Sequence, residues 1–432
     1  MSRGIHAPEW LPSSLKVLAT LMVMAAAPLW ADGETEDAAW QDSRDPVALL
    51  WRRVESGQTK LDTSSDKAFL SSLLKELNIP AESQVLVFSK TSLQKTLISP
   101  STPRALYYSE ECYIGWVQGG DLEVVSSEPG GDLQYYLIHR PRPAPSPAKP
   151  RLIRSNQCAS CHVGGDLQVQ SVYTRSSGYP MGNEDRFVTS AESPLGERWG
   201  GWYVTGRHGT DYHMGNVMAE KGPRGMVLDR RKGANIESLT GWFPVEPYLS
   251  DTSDLVALMV LEHQYVLHNT LQDAARVVRR MHEQVRKGDS SAPDEVAQQR
   301  IVTKRAEKIV ELLLFTGEYA LKEGGVIGGD AFQAAFRRNR KTSTNGASLK
   351  DFDLHTRMFK HRCSYMIHSA TFKAMPDVLK ARVYALLDDV LSGRAVADDY
   401  AQLDADERQS IRQILLETEP EIRAAWDSKP AS

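Results

Sequence analysis

The chain has 432 residues, with 51 Lys and Arg against 55 Asp and Glu, for a formal charge of -4. That near balance argues against a general nucleic-acid binder, which carries a basic excess. A hydrophobic content of 41% argues against disorder. Length suggests two or three domains, and only four cysteines exclude a disulfide-framework miniprotein.

Residues 1–31 read as an export signal. Arg3 and Lys16 supply a basic start, the run Val17 to Ala27 is apolar, and small Ala31 precedes Asp32. The run is short for a bilayer span of about 20 residues, and no stop-transfer pattern follows. The strongest later apolar run, Leu255 to Leu261, ends at Glu262 and His263. The expected mature protein is periplasmic or secreted, with no membrane span.

Residues 32–139 form the next unit. Val47, Leu50, Trp51 and Val54 recur at helical spacing. Short aromatic and β-branched runs follow between residues 83 and 139, punctuated by Gly119-Gly120 and Gly130-Gly131, and predict a small antiparallel sheet. Residues 140–150 are a Pro-rich connector. Residues 151–250 are rich in Gly, Arg and aromatics with no long period, the pattern of a loop-rich region organised around something.

From residue 251 to 432 the period becomes helical. Val256, Met259, Val260, His263 and Leu267 share one stripe, and a second helix spans about residues 293–316. A third opens at Met375-Pro376-Asp377, with Pro376 expected in its first turn, and Asp406 is expected to cap a fourth that ends near Pro420. The fold class is therefore α+β, with a β-rich N-terminal part, a loop-rich central region and a helical C-terminal half packing on it.

The chemistry is carried by Cys158-Ala159-Ser160-Cys161-His162. In an exported chain, C-x-x-C-H reads as covalent attachment of a c-type haem. Two thiols add to the two vinyl groups of the porphyrin, and the adjacent imidazole of His162 becomes the proximal iron ligand. A thioredoxin-like pair does not require the histidine, and a zinc site needs further close ligands, whereas Cys112 and Cys363 stand alone. One motif implies one haem c per chain and separates the protein from di-haem peroxidases. Whether Cys112 and Cys363 form a disulfide is left open.

The run Ser193 to Gly206, with His208-Gly209 and His213-Met214-Gly215-Asn216, resembles a family of exported single-haem c-type cytochromes of environmental bacteria. So do Phe88 to Gln94, Leu261 to Gln264 and Arg362 to Ile367. The resemblance spans about residues 83–426. It implies a cytochrome and assigns no reaction.

The second axial position divides the functions. His208, in a Gly-flanked loop, is the candidate ligand, with His213, Met214 and His263 as alternatives and Met181 and Met218 further off. Arg154, Arg198 and Arg207 are candidate partners of the haem propionates. Two strong ligands imply electron transfer in the periplasm, with a redox protein or a small-molecule donor or acceptor as partner. An exchangeable distal site implies a haem peroxidase or oxygenase, although no catalytic motif beyond the haem site is recognisable. Replacing Cys158 or Cys161 by Ala should weaken covalent attachment, and replacing both should abolish it. Mass spectrometry of protein made with a haem-attachment system reads this directly, and a well-folded mature chain at apoprotein mass contradicts it.

Overall fold

A computed structural model describes residues 40–140, 149–155, 158, 162, 166–182, 186–223, 225–322, 324–394 and 400–428. The export signal, Cys161 and most of the Pro-rich connector lie outside the described residues.

The architecture is α+β. Two helices open it, α1 (Pro46–Glu55) and α2 (Asp66–Glu76). Asp45 starts α1 by accepting from the amides of Val47 and Ala48 at 2.9 and 3.2 Å, and its second oxygen accepts from the Tyr136 hydroxyl at 2.5 Å. The cap therefore also ties α1 to the sheet.

That sheet has seven antiparallel strands. In chain order they are β1 (Val85–Val87), β2 (Arg104–Tyr108), β3 (Cys112–Trp116), β4 (Leu122–Ser127), β5 (Leu133–His139) and β6 (Arg151–Arg154), with a later strand, β10 (Trp202–Tyr203), on the β1 edge. The middle five run as a meander, and β6 and β10 close the two edges from the region expected to be loops. Between them β7 (Gln170–Val172) pairs with β9 (Arg186–Val188). β8 (Thr174–Arg175) lies beside β11 (Met218–Gly222), which pairs with β12 (Gly225–Val227). The central region is thus strand-containing, mostly in pieces of two to four residues, too short to leave a period-2 signature.

Strand alternation sends side chains to opposite faces. Ala105, Tyr107, Ile114, Trp116, Val124, Tyr136 and Ile138 pack on Leu50, Trp51, Leu70, Leu73 and Leu74 of the first two helices. Leu106, Tyr108, Tyr113 and Val125 face the other way, toward the C-terminal helices.

Those are α3 (Leu255–Lys287), α4 (Glu295–Leu313), α5 (Asp330–Phe336), α6 (Ala370–Lys373), α7 (Asp377–Leu391), α8 (Ala405–Thr418) and α9 (Pro420–Asp427). Every residue of α3 from Leu255 to Tyr265 is buried, so this end is enclosed on all sides. Asp254 caps it, and Gly288 ends it in the left-handed conformation at φ +63°. Two expectations are corrected in detail. Asp404 caps α8, accepting from Glu407 N, while Asp406 lies in its first turn. Pro376 stands one residue before α7, at the capping position. No helix among the described residues is long and apolar enough to cross a membrane.

Cys112 belongs to the core between the sheet and α1–α2, and Cys363 to the core of the helical half, so both remain thiols. Burial pushes each up to about 12. Both should resist iodoacetamide in the native protein and react once it is unfolded. A Cys112–Cys363 peptide in a non-reducing map contradicts this.

Candidate functional site

The second face of the sheet does not pack fully on α3. A cleft of about 200 Å³ lies over β2 to β5. Its floor is Arg104 and Leu106, Tyr113 and Gly115, Glu123 and Val125, then Tyr135, one alternating set from each strand. Leu261 and Tyr265 of α3 face it, with Leu167 to Gln170 and Trp202 beside them. Its walls are largely apolar with a few polar groups among them, the character of a cofactor site.

Cys158 and His162 line the same cleft. The His162 amide bonds the Cys158 carbonyl at 2.9 Å, which ties the two residues together. His162 Nδ1 lies 2.7 Å from the Asp166 carbonyl. A carbonyl only accepts, so Nδ1 carries the proton and Nε2 keeps its lone pair. This is the orientation by which outer hydrogen bonds prepare a histidine to bind metal. The Tyr135 ring packs on the imidazole at 4.9 Å between centroids.

One ion pair lies on the apolar floor. The Arg104 guanidinium meets Glu123, whose other oxygen accepts from Gln94 Nε2 at 3.1 Å. Gly115 makes room for it, since a Cβ there would overlap the guanidinium. Arg104 Nε is buried without a partner. Thiol, imidazole with a free Nε2, apolar walls and a cation with spare donor capacity fit a haem bearing two carboxylates. The signals for Arg104 and Glu123 in the sequence were charges at inward-alternating positions of otherwise apolar strands.

The candidate second ligands lie elsewhere. His208 and His213 pack on each other at 4.7 Å, each with a buried Nδ1 lacking a partner. Asn235 holds the His208 backbone through a 2.7 Å bond. Burial lowers both histidines, His213 to about 3. Met214 receives a bond from Ser171 Oγ and packs with Tyr173 and Val217, and Met181 joins that cluster. Met218 packs toward α1 and α2. His263 bonds Ser364 Oγ at 2.7 Å and stacks on Phe315 at 4.2 Å. Among the described residues, His162 is the one histidine lining the cleft, and no methionine does. The candidate arginines also point away from it. Arg154 is exposed, Arg207 pairs with Glu237 at the surface, and Arg198 is buried against Glu262 at 3.2 Å.

Comparison with known proteins finds no matching family model, no matching curated protein and no matching solved structure.

His263 supplies a test of its place in the core. Burial drives it from 6.5 down to about 3. The unfolded chain therefore takes up this proton first as pH falls. The stabilisation is whole above about pH 6.5 and is lost below it, by up to about 1.4 kcal/mol per pH unit. Urea unfolding should show wild type losing about 2 kcal/mol more than His263→Gln between pH 7 and pH 5. An unchanged difference between the two proteins contradicts the assignment.

Proposed function

We propose that this chain is an exported c-type cytochrome that carries one covalent haem in the cleft between the sheet and α3. The observation that carries the reading is Cys158 and His162, joined by a backbone hydrogen bond at the cleft wall, with Nδ1 bound to the Asp166 carbonyl and Nε2 keeping its lone pair. Cys158 and Cys161 would tether the group, and His162 would bind its iron. The bound haem would supply a one-electron iron couple. The other roles belong to the chain. Asp166 fixes the tautomer and orientation of His162. Tyr135 packs on the imidazole and limits its rotation. Leu106, Val125, Leu261 and Trp202 exclude water and lower the local dielectric. Arg104 is the arginine that lines the cleft, and its guanidinium would pair with a propionate.

Electron transfer, with a redox protein or small molecule as partner, requires a second strong ligand. A second reading, a haem enzyme with an exchangeable distal position, is favoured by one specific observation: among the described residues, the cleft wall offers no further His or Met. The geometry supports this second reading better, with peroxide or oxygen as the ligand class.

Optical spectra decide between them. The ferric holoprotein is expected to be high-spin, and the reduced protein to bind carbon monoxide with a shifted Soret band. A low-spin spectrum indifferent to the gas, converted to high-spin by His208→Ala, overturns this in favour of electron transfer with His208 as ligand. Retention of the low-spin form in His208→Ala and its loss in Met214→Ala or His263→Ala moves the ligand but keeps electron transfer.

A further inference from the structure

Three tyrosines line the cleft, and one of them meets a base. The Tyr113 hydroxyl lies 2.9 Å from His268 Nδ1. It also accepts from Gln264 Nε2 at 2.8 Å, and Gln264 Oε1 in turn accepts from the Tyr365 hydroxyl at 2.8 Å. With its lone pair engaged by the Gln264 amide, Tyr113 directs its proton to His268. On the far side of the ring, His268 Nε2 lies 2.6 Å from Thr371 Oγ1 and 3.1 Å from Ser127 Oγ. Nδ1 accepts, so Nε2 carries the proton and donates to these hydroxyls. The order is consistent from end to end: Tyr365, Gln264, Tyr113, His268, then Thr371 and Ser127.

His268 is fully buried on α3. Burial lowers it to about 4, so Nδ1 stays open to accept at neutral pH. Beyond the hydroxyls lies Glu111, whose carboxylate accepts from the Ala370 amide at 2.8 Å and is raised by burial. Ser127 and Glu111 are also joined by a 2.9 Å backbone bond. The contrast with Tyr265 is chemical. Its hydroxyl gives to the Thr189 carbonyl, which cannot take a proton. Trp202 likewise gives its Nε1 proton to the Gln170 carbonyl at 2.8 Å.

We propose that Tyr113 is a redox-active tyrosine of the cleft, with His268 as the acceptor of its proton. The proposal rests on the reading of the cleft as a haem site. The oxidant is hydrogen peroxide, which becomes two waters by taking two electrons and two solvent protons; the haem that would be bound supplies one electron and Tyr113 the other. As Tyr113 gives up its electron, its phenolic O–H bond breaks and the proton passes to His268 Nδ1. The proton stays on the imidazolium, whose Nε2–H remains hydrogen-bonded to Thr371 and Ser127. The product is a neutral tyrosyl radical, its electron spent on peroxide reduction and its proton held inside the chain. Without the imidazole, the electron would leave a charged phenol cation radical in a buried site, which the low dielectric opposes.

The experiment is freeze-quench electron paramagnetic resonance of holoprotein mixed with hydrogen peroxide. Incorporation of ring-deuterated tyrosine identifies a tyrosyl signal by the collapse of its hyperfine splitting. The signal is expected in wild type and Tyr265→Phe, and lost in Tyr113→Phe. In His268→Gln it should be lost or shifted in g-value, since the hydrogen bond to the radical oxygen changes. Each variant keeps the covalent haem mass and the circular dichroism of wild type, which separates a chemical role from a folding role. A tyrosyl signal unaffected by Tyr113→Phe overturns the proposal, as does haem-loaded wild type that yields none. Protein that carries no haem under attachment conditions overturns the cofactor reading itself, and this proposal with it.

Discussion

The seven-stranded sheet has apolar residues on both faces, and neither face can be left to water. This constraint shapes everything else. Trp116, Tyr107 and Tyr136 on one side are covered by α1 and α2. Tyr108 and Leu106 on the other require a second cover, and the enclosed end of α3 supplies part of it. The two layers are joined by polar contacts as well as by packing. The Tyr108 hydroxyl gives to the Ala257 carbonyl, and Gln264 reaches both the Ser109 carbonyl at 2.8 Å and Tyr113. Buried hydrogen bonds of this kind fix the register of helix on sheet, because breaking one leaves a costly unsatisfied group. Where α3 does not close over β2 to β5, a cleft remains, and Cys158 and His162 line it.

Much of this was legible in the sequence, and the parts that were not share a cause. Helices α3, α4 and α7 announce themselves because Val256, Met259, Val260 and His263, or Leu379, Val383 and Leu387, repeat at the helical period. The meander was legible from its short β-branched runs. Most strands after residue 150 were hidden because they are two to four residues long, too few for a period to show. Long-range pairing, as between Leu86 and Tyr203, makes them strands, and no local signal encodes it. The cap of α8 was misplaced by two residues because Asp404 and Asp406 are both good capping residues, and only the backbone geometry chooses between them.

The site divides in the same way. The C-x-x-C-H motif is a local pattern, so Cys158 and His162 could be named as candidates from spacing alone. The rest of the cleft is made by strand alternation across four strands, and Arg104, Tyr113 and Glu123 meet only once the register is set. The Gly-flanked loop of His208 and His213 drew attention for its glycines. In the fold, Asn235 secures that loop on the chain itself, with the two imidazoles against each other. The stripe that marked His263 as inward-facing was correct about direction, and its partners are Ser364 and Phe315. Direction into the core and direction into a cleft look alike in a sequence.

The central claim is the location of the iron. Anomalous scattering at the iron absorption edge, from crystals of the holoprotein, tests it most directly. The account predicts one iron per chain, bonded to His162 Nε2 and lying in the cleft between β2–β5 and α3. An iron bound away from His162, or a second iron at the His208–His213 pair, would contradict it.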